Sequence, residues 1–108
     1  MLTFRETILF TRQVTERLTD SEYLELQTAL LLQPELGDLI QHTGGLRKLR
    51  WTESARGKGK RGGVRVIYYW YAPQELIYLL LLYSKGERDD LSTSEKKALR
   101  QLITREFK

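Results

Sequence analysis

Two eight-residue runs, Val64 to Tyr71 and Leu76 to Tyr83, are built from Val, Ile, Leu, Tyr and Trp with the single exception of Arg65, and only Ala72-Pro73-Gln74-Glu75 separates them. β-Branched and aromatic runs on either side of a proline-containing tetrapeptide predict two antiparallel strands joined by a hairpin turn. Leu79 to Leu82 is apolar on both faces, so this strand needs cover on both sides, helices on one and other structure on the second. Whatever else the chain forms must enclose that hairpin.

The rest of the sequence supplies the enclosing elements. Leu2 to Leu9 alternates, with Leu2, Phe4 and Ile8 on one face, and predicts a first strand. Phe10, Val14 and Leu18 are spaced for a helix. Thr19 with Glu22 has the form of a capping box opening a second helix, which carries Tyr23, Leu24, Leu26, Gln27, Leu30 and Leu31, runs to about Gln33 and is stopped by Pro34. Gly37-Asp38 and Thr43-Gly44-Gly45 mark turns, and Leu46, Leu49 and Trp51 anchor a further extended segment. Ser92 with Glu95 forms another capping box ahead of Ala98, Leu99, Leu102 and Ile103. The fold class is therefore α+β, an antiparallel-rich twisted sheet with two N-terminal helices and one C-terminal helix. At 108 residues with 41% hydrophobic content and no internal repeat, the chain is expected to form one domain over 1–108.

Charge is distributed very unevenly. Arg47 to Arg65 contains eight of the eighteen Lys and Arg residues, one acid, Glu53, and four of the eight glycines, a local balance of +7 against −4 for residues 1–46 and +1 for residues 66–108. Such a patch focuses field and binds polyanions by releasing their counterions, which makes nucleic acid the first partner to consider. A membrane is the competing polyanion. No apolar run approaches the roughly 20 residues of a spanning helix, and no presequence pattern opens the chain, so a soluble protein is expected. With no cysteine, disulfides, thiol nucleophiles and thiolate metal sites are all excluded, and one histidine cannot build a histidine-rich zinc site.

Alternation along the strands sorts the cations. Lys48 and Arg50 share one face of their strand, and Leu49 and Trp51 share the other. Arg65 opens the next strand between Val64 and Val66 on the opposite face. Cations are thus expected on one side of the sheet, with apolar residues toward the helices. Arg56, Lys58, Lys60 and Arg61 lie in a glycine-rich connection whose backbone can approach a phosphate chain closely. Lys85, in Tyr83-Ser84-Lys85-Gly86-Glu87-Arg88, follows the last strand and can join the same surface. Tyr69 and Tyr83 can stack on a base or transfer a proton, or pack within the sheet. His42 reads as a turn histidine, and Trp51 and Trp70 as core. Asp89-Asp90 suits the start of the final helix and carries no catalytic role. Gly57-Lys58-Gly59-Lys60 lacks the spacing of a phosphate-binding loop that leads into a helix.

Gly44-Gly45-Leu46-Arg47-Lys48-Leu49-Arg50, then Lys58-Gly59-Lys60-Arg61-Gly62-Gly63-Val64-Arg65-Val66-Ile67-Tyr68-Tyr69, then Tyr83-Ser84-Lys85-Gly86-Glu87 together resemble the RelE/HigB superfamily of bacterial toxins, close to its HigB branch. The resemblance extends over nearly the whole chain. It implies the toxin of a toxin–antitoxin pair, a cytoplasmic, metal-independent endoribonuclease that needs no cofactor and cuts mRNA in the ribosomal A site. It further implies contact with the 16S rRNA there, a cognate helix-turn-helix antitoxin, and operator DNA reached only through the antitoxin complex.

In the implied reaction the 2′-hydroxyl attacks the adjacent phosphate in line and leaves a 2′,3′-cyclic phosphate and a 5′-hydroxyl. That requires a base, cations for the transition-state charge and an acid for the leaving oxygen. A crowded cation cluster also makes a lysine within it a better proton-transfer group near neutrality. By resemblance Arg65, in Gly63-Val64-Arg65-Val66-Ile67-Tyr68, is the phosphate-stabilising arginine, Lys85 the basic residue after the last strand, and Lys58, Lys60 and Arg61 the catalytic-side basic loop. Arg47, Lys48, Arg50 and Arg56, with Tyr69 and Tyr83, are the expected RNA contacts. The chain has Ser92 near the position where several relatives carry a tyrosine and lacks the histidines that others use, so the general base stays open. A noncatalytic RNA- or ribosome-binding module and an antitoxin-dependent corepressor are the alternative readings.

Overall fold

The computed structural model describes residues 1–51, 63–88 and 90–108. Its elements are β1 (Thr3–Glu6), α1 (Ile8–Arg17), α2 (Asp20–Leu32), β2 (Asp38–Leu39), β3 (Leu46–Trp51), β4 (Val64–Tyr71), β5 (Leu76–Ser84) and α3 (Thr93–Phe107). A single 3-10 turn, Ala72–Gln74, connects β4 to β5, with Glu75 in the left-handed region closing it. The sheet runs β1-β5-β4-β3-β2. Only the β1–β5 pair is parallel, since α1 and α2 carry the chain away from β1 before the antiparallel strands begin. The α+β, antiparallel-rich architecture with two helices before the main strands and one after them is as expected.

Both predicted capping boxes form. The Thr19 hydroxyl accepts from Glu22 N at 3.1 Å while Glu22 Oε1 accepts from Thr19 N at 2.7 Å. Ser92 and Glu95 repeat the arrangement at 3.1 and 2.8 Å. Each pair satisfies two backbone donors that a helix start would otherwise leave open.

The first strand is shorter than alternation predicts. It ends at Glu6 because Thr7 caps α1, its hydroxyl accepting from Phe10 N at 3.0 Å, and Ile8 and Leu9 then belong to the helix, with Ile8 81% exposed. Helix α2 also differs from its broad predicted apolar face. Leu26 and Leu30, with Glu22, form its buried row, Tyr23 is half-buried, and Leu24 and Leu31 are 62% and 51% exposed. A helix apolar on all sides does not itself indicate which side packs.

Helices cover both sheet faces. Phe10, Val14, Leu18, Leu26 and Leu30 pack on Leu49, Val64, Val66, Tyr68, Ile77, Leu79 and Leu82 on one side. Ile103 and Leu91, with Leu99, Leu102 and Phe107 partly buried, pack on Leu46, Ile67, Tyr69, Leu80, Leu81 and Tyr83 on the other. The second cover predicted for Leu79 to Leu82 is therefore α3.

A bulge divides those leucines. Ile67 pairs with Leu81 and Tyr68 with Leu79, which leaves Leu80 as the extra residue of β5. Leu80 and Leu81 consequently face the same way, toward α3, and every later side chain of β5 changes face relative to strict alternation. The segment before α1 and α1 itself hold this region. Thr7 N donates to Leu79 O at 3.1 Å and its hydroxyl to Leu80 O at 2.9 Å, while Leu82 N donates to Gln13 Oε1 at 2.9 Å. These bonds satisfy β5 backbone beyond the end of β1.

Candidate RNA-binding site

The site is a row across three strands. In β3, Lys48 and Arg50 alternate with Leu49 and Trp51, which pack toward α1 and α2. In β4, Val64 and Val66 enter the same core and turn Arg65 to the opposite face. Arg50 is the direct cross-strand partner of Arg65, and Arg65 is the direct partner of Tyr83. Directly opposed residues hold their Cβ atoms about 4.5–5.5 Å apart, so two guanidinium stems start side by side. The Leu80 bulge completes the row. Without that extra residue Tyr83 would fall on the face of Ile77 and Leu79, behind the arginines rather than beside them.

Tyr83 is 2% exposed, and its hydroxyl has no hydrogen-bond partner among the described residues. Burial raises its phenol pKa, with Asp90 adding to the rise and Arg88 and Arg65 opposing it. The Arg88 guanidinium lies over the ring, 4.5 Å from its centroid, and its Nη1 meets Glu95 Oε2 at 2.5 Å. Lys48 Nζ lies 3.6 Å from Asp90 Oδ1. The surface therefore gathers Lys48, Arg50, Arg65 and Arg88 against two carboxylates, and it carries excess positive charge. The planar guanidiniums of Arg50 and Arg65 can bind and stabilise phosphate charge through several donors each. Among the described residues no group of three or more His, Cys, Asp or Glu side chains is arranged to hold a metal ion.

Other predicted site residues fall elsewhere. Arg47 shares the face of Leu49, and its Nη1 donates to Gly37 O at 2.7 Å and Glu35 O at 3.2 Å, so it fastens the segment after α2. Tyr69 sits four residues along β4 from Arg65, about 13 Å at the usual rise, among Tyr71 and Phe107 with centroids 6.4 and 5.4 Å away. Lys85 is exposed in the turn after β5, and its backbone N–H points to Gly63 O at 3.5 Å. Arg56, Lys58, Lys60 and Arg61 lie outside the described residues, as does Asp89. His42 occupies the β2–β3 turn at φ 63° and is exposed. Trp51 and Trp70 pack against the α1–α2 core.

Arg88 was not singled out by sequence reasoning, nor was the pairing of Asp90 with Lys48. Glu95 was legible as a capping residue because its spacing from Ser92 is fixed. Its second oxygen reaches Arg88 through a turn that no spacing rule describes.

The fold and this surface define a class, a small helix-covered sheet presenting an arginine pair at one end of its central strands. No family model matches the sequence. The structure is similar to that of the isolated E. coli RelE toxin, with a TM-score of 0.54 and 11% identity over 94% of this chain and 99% of that one. It is also similar to a chain of the intact E. coli RelBE toxin–antitoxin complex, with a TM-score of 0.53 and 11% identity over 76% of this chain and 94% of that one. The fold is RelE-like.

Proposed function

We propose that this chain is the toxin of a toxin–antitoxin pair, of the HigB branch of the RelE/HigB superfamily, and that it cleaves mRNA in the ribosomal A site. The observation that carries the reading is the direct opposition of Arg50 and Arg65 across β3 and β4. Two guanidinium forks that start side by side can grip one phosphate from both strands. Arg65, flanked by core valines on a central strand, is the more rigidly placed of the two, and rigid placement is what transition-state stabilisation requires.

In this reading the RNA 2′-hydroxyl gives up its proton to a base and its oxygen bonds to the scissile phosphorus. The P–O5′ bond breaks and the leaving 5′-oxygen takes up a proton, giving a 2′,3′-cyclic phosphate and a 5′-hydroxyl, while the charge on the equatorial oxygens develops against Arg65 and Arg50. Lys85, Lys58, Lys60 and Arg61 are further contacts to the RNA in this reading. The RelE-like fold and the RelBE neighbour support an antitoxin partner, and a ribosomal substrate places the reaction in the cytoplasm.

The test is an in vitro translation reaction on a defined message, with 5′ ends mapped for wild type and Arg65→Ala. Cuts that require translating ribosomes and vanish in the variant support the enzyme. Intact message with wild type, despite verified folding and ribosome binding, leaves a noncatalytic binding module.

A further inference from the structure

The two carboxylates of the site share an arrangement. Asp90 Oδ1 accepts from Leu91 N at 2.8 Å and faces Lys48 Nζ. Glu95 accepts from Ser92 N at 2.8 Å through one oxygen and from Arg88 through the other. Each acid is therefore anchored by a backbone N–H and presents negative charge to a cation on the face that holds Arg50 and Arg65. Both stay ionised at neutral pH. Burial opposes ionisation of Asp90 and is outweighed by Leu91 N–H and Lys48. For Glu95 the Arg88 hydrogen bond leads.

All four side chains remain partly open to solvent. Ion pairs in that setting contribute about 0–1 kcal/mol. An incoming oxyanion can replace them, particularly one tethered to a second phosphate already held by the arginine pair, because the second contact is then intramolecular. We propose that Asp90 and Glu95 are built-in stand-ins for phosphate, at the expected RNA contact Lys48 and at Arg88, a further RNA-phosphate subsite, and that single-stranded RNA displaces both. The inference rests on the RNA-binding reading above and extends it to Arg88 and to a competition within the chain.

The experiment measures binding of a 2′-O-methyl RNA oligonucleotide, which cannot be cleaved, by fluorescence anisotropy over a series of salt concentrations with the full chain. Asp90→Asn and Glu95→Gln should each tighten binding up to about fivefold, the equivalent of about 1 kcal/mol. The Asp90→Asn gain should disappear in a Lys48→Met background, and the Glu95→Gln gain in an Arg88→Met background. Lys48→Met alone should lower the slope of log K against log salt by about 0.7, the value for one phosphate contact on a single strand. Glu106→Gln, which removes an α3 carboxylate lying 3.6 Å from Arg5 of β1, controls for net charge and should change affinity less than twofold.

A gain that persists without Lys48 or Arg88, or one matched by Glu106→Gln, overturns the proposal in favour of general electrostatics. Unchanged or weaker binding by Asp90→Asn and Glu95→Gln, with both variants folded at the assay temperature, overturns it in favour of purely structural ion pairs. Failure of wild type to bind the oligonucleotide removes the RNA reading itself, and the proposal with it.

Discussion

Arg50 and Arg65 are direct partners across β3 and β4, with Tyr83 completing the row on β5. The planar, multi-donor guanidiniums start from adjacent positions, an arrangement suited to holding an anion. Arg65→Ala should reduce mRNA cleavage by about 10²–10³-fold, the usual loss for one transition-state charge donor. The variant should stay folded, since the core contacts of this stretch are made by Val64 and Val66. Mapped 5′ ends and a melting curve on the same preparation check both halves, and a parallel loss of folding would show that Arg65 is structural.

Arg47 provides the contrasting case. It is as basic as its neighbours, yet its guanidinium donates to the carbonyls of Gly37 and Glu35 on the other face of the sheet. Arg47→Met should lower stability and leave the salt dependence of RNA binding as in wild type. Arg50→Met should do the reverse, reducing the log–log salt slope by about 0.7. Urea denaturation and anisotropy titrations on the two variants separate these outcomes.

The features legible in the sequence were those set by short, fixed spacings. Thr19–Glu22 and Ser92–Glu95 announced their helices because a capping box is a three-residue geometry. The β4–β5 hairpin was announced by proline between two β-branched and aromatic runs. The Leu80 bulge was not legible, because four identical leucines carry no mark of which one is extra. Yet that bulge sets the face on which Tyr83 lies. The end of β1 was obscured by a contest between alternation, which favours Ile8 in a strand, and Thr7, whose hydroxyl caps a helix. Alternation did separate Arg47 from Arg50, and counting Arg47 among the RNA contacts followed charge rather than face. The Arg88–Glu95 and Lys48–Asp90 pairs depend on how the turn after β5 folds back, which local pattern does not encode.

Tyr68 links that sheet to the segment after α2. Its hydroxyl donates to Pro34 O at 2.7 Å and accepts from Gly37 N at 2.8 Å, and burial raises its pKa. Tyr68→Phe leaves a carbonyl and an N–H without their partner, so it should destabilise the protein by about 1–3 kcal/mol. Gly37→Ala should destabilise as well, since an added Cβ would lie 2.9 Å from Tyr68 Cε1 and 3.1 Å from Lys48 O. Because both changes disturb one contact, the double variant should lose less than the sum. Denaturant midpoints of the three variants check this, and strict additivity would show that the two residues act independently.

Glu95 gives stability a dependence on acid. Its pKa lies below the ordinary value of 4.5 because Arg88 and Ser92 N–H favour the carboxylate. A group whose pKa is lower in the folded than in the unfolded state binds fewer protons when folded. The stability it contributes is complete above the unfolded value and is lost as pH falls through the folded one. Glu95→Gln keeps an oxygen for the Ser92 N–H but removes the charge facing Arg88. Wild type should therefore exceed Glu95→Gln in stability by its widest margin at neutral pH, and the two should converge as pH falls below the ordinary glutamate value and through the lowered one of the folded state. Urea denaturation across that range decides the matter. A margin that stays constant into acid would mean that the Arg88–Glu95 pair adds no charge-dependent stability, and that Glu95 serves the fold only as a cap.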